Sequence, residues 1–153
     1  MKLSEHFDMA EFTASDTAAR RGIDNTLPDS MIPTAQATAQ MLERIRAALG
    51  DKPIIITSGY RCAELNAAIG SARSSDHVKA MAIDFKCPAF GLPYDVARYL
   101  SGRIEILGIG QIILEFATGA SGWVHVSTRI PEKIINRVIT INSVGTQAGV
   151  QRA

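Results

Sequence analysis

Two histidines and one aspartate in the second half of the chain, His77, Asp84 and His125, are of types that could share a metal ion. Two imidazoles and a carboxylate are a sufficient protein set for a catalytic zinc, because a fourth coordination place then stays open to water or substrate. A metal in such a place polarises a carbonyl and acidifies water, which is the chemistry of peptide-bond hydrolysis. Spacing alone leaves this reading open. His77 and Asp84 are separated by an odd offset, which in one uninterrupted strand puts two side chains on opposite faces. They converge only if the chain turns after His77, and Ser74, Ser75 and Asp76 favour such irregular backbone. His125 stands between Val124 and Val126, so the valines take one face of a strand and the histidine the other. The plainer alternatives are a hydrogen-bonded scaffold histidine and an aspartate that caps a turn or pairs with a cation. The third histidine, His6, is remote in sequence and is read as packing against or capping the first helix.

The elements that must position these residues follow from pattern. Phe7 to Arg21, with Thr13, Ser15 and Asp16, reads as two short helical pieces. Ser30 to Leu49 is the clearest helix: Ile32, Met41, Leu42, Ile45 and Leu49 keep helical spacing, Pro33 suits its first turn and Gly50 its end. Ile54 to Thr57 predicts a buried strand, Ala63 to Ile69 a short helix, Ser71 to Asp76 a loop, Ala80 to Phe85 a strand and Pro93 to Leu100 a helix. Gln111 to Phe116 and Trp123 to Ser127 are strands of a hairpin joined by the loop Thr118 to Gly122. Val138 to Ile141 is the last strand, and Thr146 to Ala153 lacks pattern and is expected to be loose. Helices in front and strands behind predict one α+β domain over residues 1–153, with a small, largely antiparallel sheet flanked by helices. With 16 Lys plus Arg against 15 Asp plus Glu, no overall field draws the chain to nucleic acid or an anionic membrane. No apolar run reaches the length of a membrane span. Cys62 and Cys87 form no cluster with histidines and are expected to be unpaired thiols.

The run Ser75-Asp76-His77-Val78-Lys79-Ala80-Met81-Ala82-Ile83-Asp84, followed by Trp123-Val124-His125, resembles the zinc-ligand pattern of the M15 family of D-Ala-D-Ala carboxypeptidases and phage endolysin peptidases. Ser58-Gly59-Tyr60-Arg61 and Leu65-Asn66 resemble the stretch that precedes it. Ser4-Glu5-His6-Phe7 with Glu11-Phe12, and Asn136 to Ile141, look like the ends of the phage branch. The resemblance implies a Hedgehog/DD-peptidase-like fold, zinc on His77, Asp84 and His125, and contacts from Arg61 and Ser75 to carboxylate or carbonyl groups of the peptidoglycan stem peptide. An arginine grips a carboxylate through two parallel hydrogen bonds, which suits wall peptides rich in D-glutamate. A surface ion pair is the alternative for Arg61, and turn formation for Ser75. The family pattern often has glycine where Ala80 stands and a neutral residue where Asp76 stands.

Many relatives place a carboxylate three residues before the last histidine, where this chain has Gly122. Glu115, on the preceding strand, is the candidate general base instead. If Ala117 faces Trp123 across the hairpin, Glu115 faces His125 on the same side, within about 5 Å between β-carbons. A slip of one residue would turn it away and leave a solvated strand glutamate; Asp76 is the fallback base. The whole predicts a monomeric zinc peptidase that opens the L-Ala–D-Glu bond as an endolysin. The alternatives are a D-Ala-D-Ala carboxypeptidase and a zinc-containing wall-binding or virion protein without catalysis. Met1 to Ala10 lacks the basic start and apolar run of an export signal. That suggests a phage-encoded protein made in the host cytoplasm and acting on the wall.

Overall fold

Alternation along the strands decides which side of the sheet is filled and which is left for chemistry. A computed structural model describes residues 1–152. Its strands are β1 (Ile55–Ser58), β2 (Ala82–Lys86), β3 (Gln111–Thr118), β4 (Ser121–Ser127), β5 (Val138–Asn142) and β6 (Gly145–Ala148). They form one sheet in the order β1-β2-β4-β3-β5-β6. The helices are α1 (Met9–Thr13), α2 (Asp16–Arg21), α3 (Ile32–Ala48), α4 (Ala63–Ala68) and α5 (Pro93–Ser101). On one sheet face Ile83, Phe85, Ile112, Leu114, Val124 and Val126 join Ala39, Leu42 and Ile45 of α3 and Val96, Ala97 and Leu100 of α5 in a single apolar cluster. Each large side chain fully buried there contributes about 1.5–3 kcal/mol relative to exposure. The alternate residues Asp84, His125 and Glu115 therefore stand on the opposite face.

α3 forms as its sequence predicts, with a proline at its start and Gly50 beyond its end at φ 80, the left-handed backbone a helix terminus uses. Ser30 and Met31, expected inside α3, belong instead to a 3₁₀ turn over Asp29–Met31 that leads into it. Three further expectations are corrected. The sheet is mixed rather than largely antiparallel: the chain leaves β4, crosses through residues 128–137, and enters β5 parallel to β3, pairing Ile112 with Val138 and Glu115 with Ile141. β1 is not buried, since it lies at the sheet margin with β2 as its only strand partner and Ile55 is 54% exposed. The stretch that begins at Thr146, expected to be loose, is ordered at its start, because Thr146 to Ala148 belong to β6, which closes an antiparallel hairpin onto β5. Its exposed Gly-Thr-Gln-Ala sequence carries no apolar alternation for a reader to find. Cys62 and Cys87 are free thiols. No helix among the described residues is long and apolar enough to cross a membrane.

Candidate active site

Three local devices bring His77, Asp84 and His125 together. Asp84 and His125 are cross-strand partners between β2 and β4, so their side chains leave the sheet side by side. His77 arrives from a 3₁₀ turn over Asp76–Lys79, which Ser75 caps by accepting a hydrogen bond from His77 N at 3.3 Å. That turn ends at Ala80, whose φ of 59 is the left-handed conformation that reverses the chain into β2. The turn after His77 is what overcomes the unfavourable odd offset. Thr38 of α3 donates to the Ala80 carbonyl at 2.7 Å and fixes the turn against the core.

The geometry is convergent. His77 Nε2 lies 3.2 Å and His125 Nδ1 2.9 Å from the same Asp84 oxygen. All three residues are buried, and their ligand atoms lie within 4.8 Å of one another. His77 Nδ1 is 2.7 Å from the Gly59 carbonyl, which fixes the ring and leaves Nε2 facing the centre. Two imidazole nitrogens and one carboxylate, all three buried, fit a divalent metal of the zinc type. Burial works against ionisation of Asp84, but the charge of His77 and the hydrogen bonds of both imidazoles outweigh it and hold the carboxyl well below its usual range. Burial also opposes protonation of His125, yet its hydrogen bond to Asp84 and the charges of Asp84, Glu115 and Asp76 raise it on balance.

Arg61 is no surface ion pair. It donates to Ser58 Oγ at 3.1 Å, Asn66 Oδ1 at 3.3 Å and Asp84 Oδ2 at 3.4 Å. It lines, with Asp84, Trp123, Tyr60 and the α1–α2 connection at Ala14 and Ser15, a cleft of about 350 Å³. Ser75 is not among the residues lining that cleft, and its hydroxyl serves the turn. Asn25, buried, holds the Arg61 segment in place: its amide donates to the Thr13 and Tyr60 carbonyls at 2.9 Å and its oxygen accepts from Cys62 N at 2.8 Å. Neither Asn25 nor the Gly59 carbonyl is visible to a motif reading, because one acts on backbone far away in sequence and the other is backbone itself. Gly59 has a sequence signal only in its type: a β-carbon there would meet the Phe12 carbonyl oxygen at 2.4 Å.

The register of the β3–β4 hairpin differs from expectation. Glu115 pairs with Trp123, and Ile113 with His125. The turn is tighter than predicted, with Thr118 opposite Ser121, which shifts the register by one. A bulge between Glu115 and Thr118 then shifts it by one more. A single shift would have turned Glu115 toward the core, whereas two return it to the face of His125. The bulge rests on Phe116 at φ 50 and on Gly122 at φ 83. A β-carbon at Gly122 would lie 2.5 Å from the Glu115 carbonyl oxygen and 2.6 Å from Ala117, so no carboxylate side chain can occupy the position three before His125 here.

Glu115 Oε1 lies 3.7 Å from His125 Nδ1. Burial pushes its carboxyl up and the charge of Asp84 pushes it further. His125, the indole N–H of Trp123, near but without a closed hydrogen bond, and Arg61 temper the rise. Asp76 is committed elsewhere: its carboxylate accepts from Ser127 Oγ at 2.8 Å and from Arg129 Nε at 2.6 Å, tying the His77 turn to the end of β4. His6 pairs with Glu43 of α3 at 2.8 Å, far from this centre in function and sequence.

A family model described as peptidase M15 matches residues 5–127, a span that contains every residue of the cleft named above. No curated protein matches the chain.

Proposed function

The chain belongs to the M15 peptidase family, and on that premise we propose that it is a zinc-dependent peptidoglycan peptidase of the endolysin kind, which hydrolyses the L-Ala–D-Glu bond of the stem peptide. The observation that carries this reading is the buried His77–Asp84–His125 group with Glu115 and Arg61 beside it on one sheet face. A zinc ion held by the three residues supplies Lewis acidity toward the scissile carbonyl. Glu115, as general base, takes a proton from the attacking water and returns it to the leaving amine as the C–N bond breaks. Arg61, held by Ser58 and Asn66, presents its remaining N–H groups to a substrate carboxylate.

The same arrangement suits removal of a terminal D-alanine, since Arg61 would grip a free carboxyl terminus equally well. Mass analysis of muropeptides digested by the zinc-loaded chain separates the two. Cleavage at L-Ala–D-Glu frees a peptide with D-glutamate at its amino end, whereas carboxypeptidase action removes one alanine from the other end. Metal analysis of the same sample is expected to give one zinc per chain, lost on His125→Ala substitution. A zinc-loaded chain that leaves every muropeptide intact overturns the peptidase assignment and favours a wall-binding protein.

A further inference from the structure

Two groups beside the metal-ligating side chains lack the partners their chemistry calls for. Trp123 Nε1 is the buried side-chain polar atom without a hydrogen-bond partner among the described residues. The carboxylate of Glu115 is mostly buried, with 19% of its side chain exposed, and its ion-pair contact with His125 at 3.7 Å is too long for a hydrogen bond. A buried donor without an acceptor and a mostly buried acceptor without a donor each cost free energy, and native structures leave few such groups without a reason. Here the two residues are direct cross-strand partners, so their side chains leave β3 and β4 side by side on the same face.

Resting on the reading of Glu115 as base, we infer that Trp123 is its positioning residue: the indole N–H engages one carboxylate oxygen and leaves the other directed at the reacting water. The backbone is built around this pair. The bulge at Phe116 and the close approach permitted by Gly122 set Glu115 opposite Trp123 instead of opposite His125. The Phe116 ring, with its centroid 5.8 Å from the Trp123 ring, packs against the indole. Without the indole, a carboxylate on a three-bond stem is free to swing toward the Arg61 guanidinium, where it serves no water. Trp123 also lines the cleft, so substrate that fills the cleft covers the indole and shields its N–H from competing solvent.

The chain has one tryptophan, so its indole N–H gives a single resonance that can be followed in the ¹⁵N-labelled, zinc-loaded full chain. Glu115→Ala is expected to move that resonance upfield and to speed its exchange with solvent at least tenfold, while Glu64→Ala, on the exposed side of α4, leaves both unchanged. An indole resonance with the same position and exchange rate in Glu115→Ala as in the parent overturns the inference. In turnover of stem peptide, Trp123→Phe is expected to lower kcat about tenfold, the size of one lost charge-assisted hydrogen bond, with KM within about twofold. In the Glu115→Ala background it is expected to cost nothing further. A loss expressed in KM, or a full second loss in that background, overturns the positioning role. Should Trp123→Phe fail to fold, the resonance of Glu115→Ala decides alone. If Glu115→Ala moved the indole signal yet kept full activity, the pairing would stand and the assignment of Glu115 as base would fall.

Discussion

At the scale of single residues, the two most informative positions are Glu115 and Ala80. Glu115, as the proposed base, would act in its ionised form, and burial with the nearby Asp84 charge raises its pKa above the ordinary glutamate value. On that reading activity is lost as pH falls and Glu115 takes up a proton, which the acid limb of the kcat/KM profile measures. Glu115→Gln should lower kcat by about 10²–10⁴-fold. The same shift has a stability sign. Between the ordinary and the raised value the folded chain binds more protons than the unfolded one, so folding weakens as pH rises through that window. Glu115→Gln removes this contribution, and its thermal midpoint at neutral pH is expected to exceed the parent's. Ala80 holds a left-handed backbone that costs a residue with a β-carbon about 1 kcal/mol or more. Ala80→Gly, the residue the family pattern favours, should therefore raise the urea midpoint, partly offset by the greater freedom of glycine when unfolded. The convergence of His77, Asp84 and His125 was legible from their types and, through the resemblance, as a set. Gly59 and Asn25 were not, because carbonyl orientation and contacts across distant sequence leave no local pattern.

At the scale of elements, apolar alternation made β2, β3, β4, α3 and α5 readable, since a face that must be buried imposes its period on the sequence. Register was not readable. Loop composition at Thr118 to Gly122 suggested a wider turn, and the two one-residue shifts that follow depend on a tight reversal and a bulge that composition does not announce. That Glu115 still reaches the correct face is a consequence of the shifts being two in number. Gly122 secures this outcome, with positive φ and no room for a side chain against the Glu115 carbonyl. Gly122→Ala is expected to destabilise the fold by about 3 kcal/mol, combining left-handed strain with overpacking against backbone. In urea this would appear as a lowered midpoint with an unchanged slope. A midpoint equal to the parent's would mean that the bulge does not need this glycine.

At the scale of the whole molecule, one apolar cluster carries the fold and one polar face carries the chemistry, as the α+β reading anticipated. The parallel crossover into β5 and the late hairpin with β6 escaped it, because pairing direction follows from the path of residues 128–137, and β6 has no apolar face to bury. The site joins the His77 turn to β2 and β4, so a bound metal should brace the domain as well as serve it. With free zinc at a thousandfold excess over its dissociation constant, linkage adds about 4 kcal/mol to folding. For a chain of this size that corresponds to an upward shift of the thermal midpoint on the order of 10 °C. Calorimetry with and without a chelator measures it, and identical midpoints would show that no metal binds the folded chain selectively.

The parallel placement of β5 gives the two sides of the polar sheet face unequal compliance. Glu115 sits on a strand hydrogen-bonded along both flanks, opposite Trp123 on one side and Ile141 on the other, whereas Ser58 ends a marginal strand supported from one side only. Strain from an incoming wall fragment is accordingly absorbed at the margin, where openings are least costly. On the proposed reading the Glu115 side behaves as an anvil, and stem peptides of different bulk could be admitted without disturbing the distance between the proposed base and the His77–Asp84–His125 group.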